Sequence, residues 1–140
     1  MTDSPSQRAA TFRIDAFDVG LEGHEPLLPA TGTMLRWIAG PDRPDYVLFR
    51  FDRPFQWVPG PGVDRTRLSG LSSGPTPGSV LVPLGLFAAR MAGERPHPGM
   101  RDFPVGLAFV LDESVLHAAT LDFSQAEYVA VALISDTSGQ

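Results

Sequence analysis

The chain of 140 residues has no cysteine, no lysine and no asparagine. Without cysteine there is no disulfide, no thiolate nucleophile and no thiolate metal site. Without lysine there is no Schiff-base amine and no phosphate-gripping lysine of the P-loop kind. All eleven basic residues are arginine, set against sixteen acidic ones for a net charge of −5. That balance opposes nucleic-acid binding, which rests on neutralising phosphates. Long apolar runs are missing as well. The most tempting, residues 80–86, is broken by Pro83 and falls far short of the roughly 20 residues that cross a bilayer. The first residues lack the basic start, apolar middle and small-residue cleavage site of a secretory signal, so no membrane and a cytoplasmic location are expected.

What the chain has in quantity is proline and glycine, fourteen of each. They cluster between five strand-like runs, at residues 11–20, 33–38, 46–52, 105–112 and 126–135, and so mark repeated reversals of extended chain. In the first run Phe12, Ile14 and Ala16 alternate with Arg13 and Asp15, and in the third Val47, Phe49 and Phe51 oppose Tyr46, Leu48 and Arg50. That is the period-two pattern of strands. The last run also carries a capping-box spacing at Ser124 and Glu127. From Tyr128 to Ile134, however, it carries the β-branched Val129, Val131 and Ile134 and no charge, which favours a central strand. A further brief strand is expected over residues 66–71, an extended stretch over 79–82, and a helical turn over 113–119 capped by Asp112 or Ser114. Residues 84–92 place Leu84, Phe87, Ala88 and Met91 on one helical face ahead of Gly93, predicting one short α-helix. The expected fold is therefore mainly β, a small antiparallel β-barrel or two-layer sandwich with one short α-helix. A single domain over residues 11–135 is flanked by polar tails at 1–10 and 136–140.

Candidate site residues are few. His24, His97 and His117 show no His-x-His or His-x-x-x-His spacing, so neither a metal site nor a cofactor is expected. The proline-stiffened loop 93–104 carries Glu94, Arg95, His97, Arg101 and Asp102. There His97 with Asp102 or Glu94 offers an acid–base pair, and the plainer alternative is a solvated connection. Residues 70–74 spell Gly-x-Ser-x-Gly, but Pro75 and Pro77 deny the helix that a nucleophile elbow requires. Arg36 and Arg50 fall on the faces opposite their apolar neighbours, and so point outward. Aromatic residues crowd the stretch from Trp37 to Trp57. Phe49 and Phe51 read as core, whereas Trp57, Trp37 and Tyr46, together with Arg101, are the candidate ligand-binding residues, with Trp57 expected at a rim.

Two functions stay open. One is a non-catalytic recognition module binding a protein partner or a small apolar ligand through its Pro/Gly-rich loops. The other is a small β-barrel enzyme, a cyclase, isomerase or hydrolase, acting on an apolar substrate in an enclosed cavity. The enzyme requires a walled pocket with convergent polar groups. The module requires a filled interior and an exposed apolar patch or free sheet edge near Trp57. A homodimer through a sheet edge is compatible with both.

Overall fold

The computed structural model describes residues 10–42, 45–89 and 96–138. Within them lie seven strands: β1 (Thr11–Gly20), β2 (Ala30–Ile38), β3 (Tyr46–Trp57), β4 (Ser72–Ser73), β5 (Val80–Ala89), β6 (Phe103–Val110) and β7 (Ala126–Asp136). The antiparallel order β3–β2–β1–β7–β6–β5 is joined end to end because β5 also pairs with β3, giving a closed six-stranded barrel. The short β4 adds to β5 at Val80 and Leu81. Closure removes the free edges that an open sheet would present.

Large apolar side chains at alternate positions fill the interior. Phe12, Phe49, Phe87 and Phe109 are fully buried. The Phe49 and Phe87 rings stack at 4.2 Å, and Phe12 meets both edge-on at 4.8 and 4.9 Å. Burying each such ring contributes about 1.5–3 kcal/mol, and edge-to-face contacts add to that. Val47, Phe49, Phe51, Phe55 and Trp57 all belong to this core. The inward parity of β3 thus survives Pro54, where a register shift between Arg50 and Phe55 absorbs the missing donor.

A second apolar layer lies outside the barrel. Residues 111–125 leave β6, cross the outer wall and return to start β7. Val115 and Leu121 from this excursion cover Ile38, Leu48, Leu84, Leu86 and Val110. Its two ends are tied by the Leu111 N–H to the Gln125 carbonyl at 2.8 Å, and its middle by the Leu121 N–H to the Ala39 carbonyl at 2.7 Å. The Arg36 guanidinium donates to the carbonyls of Val115 (3.1 Å) and Ala118 (2.5 Å). Arg36 therefore does point away from the interior, where it clamps this excursion. Arg50 is exposed.

Each of the five expected strands is present, and four extend beyond or shift within their expected bounds. The expected α-helix over 84–92 is not: residues 84–89 belong to β5, and 90–92 lie outside the described residues. The cause is burial on both faces. Phe87 packs into the barrel while Leu84 and Leu86 pack under the excursion, so the strand shows no wet side to reveal a period of two. Among the described residues the helical segments are short 3₁₀ turns. One of them, Arg65–Leu68, replaces the brief strand expected at 66–71. Another, Glu113–His117, is the helical turn expected there, with Asp112 as its cap. At the C-terminal end β7 runs through Asp136, and Thr137 and Ser138 hydrogen-bond to Thr11, so the bonded chain continues past the expected boundary at 135.

Candidate binding groove

Pairing registers line up outward-facing residues in rows across the barrel. One row runs Tyr46, Ala88, Gly106, Val131 and Val19, over strands β3, β5, β6, β7 and β1. The next runs Leu48, Leu86, Ala108 and Tyr128. The excursion covers the β3 side of these rows and stops short of the β6–β7 side. What remains is an open groove of about 560 Å³. Ala88, Gly106 and Ala108 form its low floor, and Tyr46, Phe123 and Tyr128 stand around it. Small residues make the depression, since a Cβ built on Gly106 would meet the Tyr128 ring at 3.2 Å. Tyr128 is 64% and Phe123 45% exposed, and the Tyr46 and Phe123 rings meet edge-on at 6.0 Å.

Polar chemistry in the groove is sparse. Among the described residues that line it, Asp42, Tyr46 and Tyr128 carry the polar side-chain atoms. The Tyr46 hydroxyl donates to Asp42 Oδ1 at 2.8 Å, which places that carboxylate at the β3 end. The backbone of the floor strand β6 is taken up on both sides by the β5 and β7 ladders.

The sequence-derived candidates fall in different places. Trp57 is not at a rim: it is 3% exposed and packs edge-on against Phe109 inside the barrel at 5.2 Å. It also lines a smaller groove of about 250 Å³ together with His24 and Tyr128. Tyr46 is buried in the outer layer and lines the main groove. Trp37 is 43% exposed, opposite Val47 in the β2–β3 ladder. Arg101 is exposed and is not among the lining residues of the main groove. The residues missed from sequence are Ala88, Gly106, Ala108, Phe123 and Tyr128. Their signal was the absence of any polar residue at the even positions 104–110 of β6.

The bonds of His97 and Asp102 among the described residues go to other partners. His97 Nδ1 lies 3.1 Å from the Pro98 carbonyl, and its ring meets Phe103 edge-on. The Asp102 N–H donates to Ser135 Oγ, with Asp102 held at a left-handed φ of 47°. Glu94 lies outside the described residues. The carboxylate that feels the charge of His97 is Asp136. Burial works to raise the Asp136 pKa, but N–H bonds from Gly99 and Ser138, the Ser138 hydroxyl and His97 together hold it below the ordinary value.

His24 accepts the Val58 N–H on Nε2 at 3.1 Å, which places the proton of the neutral ring on Nδ1. That buried nitrogen has no hydrogen-bond partner. The ring stacks on Phe55 at 5.9 Å. Among the described residues no three His, Asp or Glu side chains gather as a metal site, and no helix is long and apolar enough to cross a membrane.

No family model, curated protein or solved structure matches this chain. The groove is therefore judged on its own geometry.

A recurrent local motif shapes its surroundings. Asp64, Asp112 and Asp122 each accept the N–H of the Thr or Ser two residues on, at 2.9–3.0 Å, and each starts a 3₁₀ turn. These bonds hold all three carboxyls below their ordinary pKa, through the Thr66 hydroxyl first for Asp64 and the backbone N–H first for the other two. Arg67, on the first of these turns, donates to Glu127 Oε1 at 2.6 Å and to the carbonyls of Ser124 and Ala126 at 3.2 and 2.9 Å. It thereby fixes the segment that carries Phe123 to the base of Tyr128.

Proposed function

We propose that this protein is a non-catalytic recognition module that binds an apolar segment of a protein partner on the outer wall of β5, β6 and β7. The observation that carries this is the pairing of a phenylalanine-filled interior with an uncovered apolar outer groove flanked by Phe123 and Tyr128. Soluble antiparallel sheets ordinarily turn polar residues to the outside, whereas contiguous exposed apolar surface marks interaction sites. Tyrosine and phenylalanine beside a low floor supply the buried anchors that dominate binding energy. The enzyme alternative needs a walled cavity, and the aromatic packing of the interior lends it no support. A cytoplasmic location belongs to the same proposal and is open to cell fractionation.

The test is a ¹H–¹⁵N titration of the full chain with an amphiphilic aromatic probe, 1-anilinonaphthalene-8-sulfonate. Shifts should concentrate at Ala88, Gly106, Ala108 and Tyr128, and Ala108→Glu, which puts a charge on the floor, should abolish them. Shifts confined to interior residues such as Phe49 and Phe109, or none on this wall, would overturn the proposal.

A further inference from the structure

We infer that the smaller groove, beside Trp57 and Tyr128, is a second binding site and that its ligand is a primary carboxamide. Among the described residues its walls come from stretches 21–24, 57–63 and 127–129, each described throughout. Tyr128 is the one residue among them that also lines the main groove.

The first observation is a donor without an acceptor. Trp57 is 3% exposed and reaches the surface at this groove. Its indole N–H makes no hydrogen bond among the described residues. The only sealed side-chain polar atom without a partner there is His24 Nδ1, so the indole N–H opens to the groove. A buried tryptophan ordinarily bonds that N–H. His24 lines the same groove, so both unpaired N–H groups belong to its walls, where polar groups are normally satisfied.

The second observation is a pair of carboxylates on the same groove, Glu22 and Glu127. Glu22 is exposed. Glu127 gives Oε1 to Arg67 at 2.6 Å, and among the described residues its Oε2 takes no bond. Donors and acceptors within about 250 Å³ select the ligand by elimination. An anion would accept from the indole but face both carboxylates. An ammonium would suit the carboxylates but turn its own N–H bonds toward the indole N–H. A carboxamide does both tasks. Its oxygen accepts from Trp57, its NH₂ donates to a carboxylate, and it brings no charge to desolvate. The volume falls below the ~300–1,000 Å³ of sites for drug-sized ligands. It suits a small free amide or one glutamine side chain, with the aliphatic part against Val63 and Tyr128.

The experiment titrates the full chain with butanamide, butanoate and butylammonium, which share one carbon chain, and follows ¹H–¹⁵N spectra. Trp37 and Trp57 supply the two indole signals. Butanamide should move that of Trp57, leave that of Trp37 in place, and bind equally at low and high salt. Butanoate and butylammonium should bind about tenfold more weakly or worse. Trp57→Phe should weaken butanamide about tenfold. Because Trp57 is also a core residue, N,N-dimethylbutanamide on the unaltered chain gives a parallel check: without N–H donors it too should bind about tenfold more weakly. A hexapeptide with one glutamine among leucines and alanines separates the two sources. Tighter binding than butanamide, with shifts at Gly106 as well as Trp57, marks the side chain of a segment crossing Tyr128, and weaker binding marks a free amide; both support the carboxamide. Butylammonium binding as tightly as butanamide overturns the inference. If the anilinonaphthalene probe marks Ala88 and Gly106 while butanamide leaves the Trp57 indole unmoved, the recognition reading stands and the carboxamide site falls.

Discussion

A residue too small to notice in the sequence sits where the barrel interior has no room for one more carbon. Gly85 stands opposite Phe49 in the β3–β5 ladder, and a Cβ there would strike the Phe49 ring, with Cε2 at 2.8 Å and the Ala108 carbonyl at 3.0 Å. The ring cannot swing aside, because Phe87 stacks on one face and Phe12 and Phe51 press on its flanks. Gly85→Ala is therefore expected to lower stability by about 1–3 kcal/mol in chemical denaturation. Gly60→Ala, where nothing stands within 4 Å, should be close to neutral. At this scale the sequence was legible where parity ran unbroken. Val47, Phe49 and Phe51 announced their side, and Trp57 obeys the same odd-number rule. It was misread because the Pro-Gly run at 59–62 beside it suggested a rim. The floor of the groove was harder to see, since alanine and glycine carry little pattern of their own.

Elements buried on two sides hide their identity. β5 lies with one face in the barrel and the other beneath residues 111–125, and its apolar residues consequently mimicked helical spacing. What the sequence could not disclose was the excursion itself, whose place depends on bonds between residues far apart in the chain. Arg36 reaches across to Val115 and Ala118, and no local pattern joins those positions. Removing this clamp should loosen the excursion and spare the barrel. Arg36→Ala is expected to speed amide hydrogen exchange at Leu121 and Ala118 by about ten- to a hundredfold, in keeping with the 1.5–3 kcal/mol typical of hydrogen bonds from a charged donor. Amides of Phe12, Phe87 and Leu107 should keep their protection. Acceleration across the barrel as well would mean that the outer layer and the barrel unfold as one unit.

For the molecule as a whole, acid is the condition most clearly written into the structure. Asp64, Asp112, Asp122 and Asp136 all have lowered pKa values. Each therefore binds its proton more readily in the unfolded chain, so stability rises with pH through their titration. The contribution is complete above the ordinary carboxylate value of 3.8 and is lost as pH falls through the lowered folded values. Tm should be flat down to about pH 5 and drop below about pH 4. Asp112→Asn with Asp122→Asn, which keep an acceptor but cannot titrate, should make that drop shallower. A last consequence comes from the way the barrel is sealed. Its first and last strands are neighbours, and Thr11 N–H to Ser138 Oγ at 2.8 Å and Thr137 N–H to the Thr11 carbonyl at 3.1 Å bring the ends together. Chain order is then a matter of convenience. A circular permutant with residues 138 and 10 joined by a short linker, and new ends cut between Gly60 and Pro61, should reach the same near-ultraviolet signature and melt in a single step.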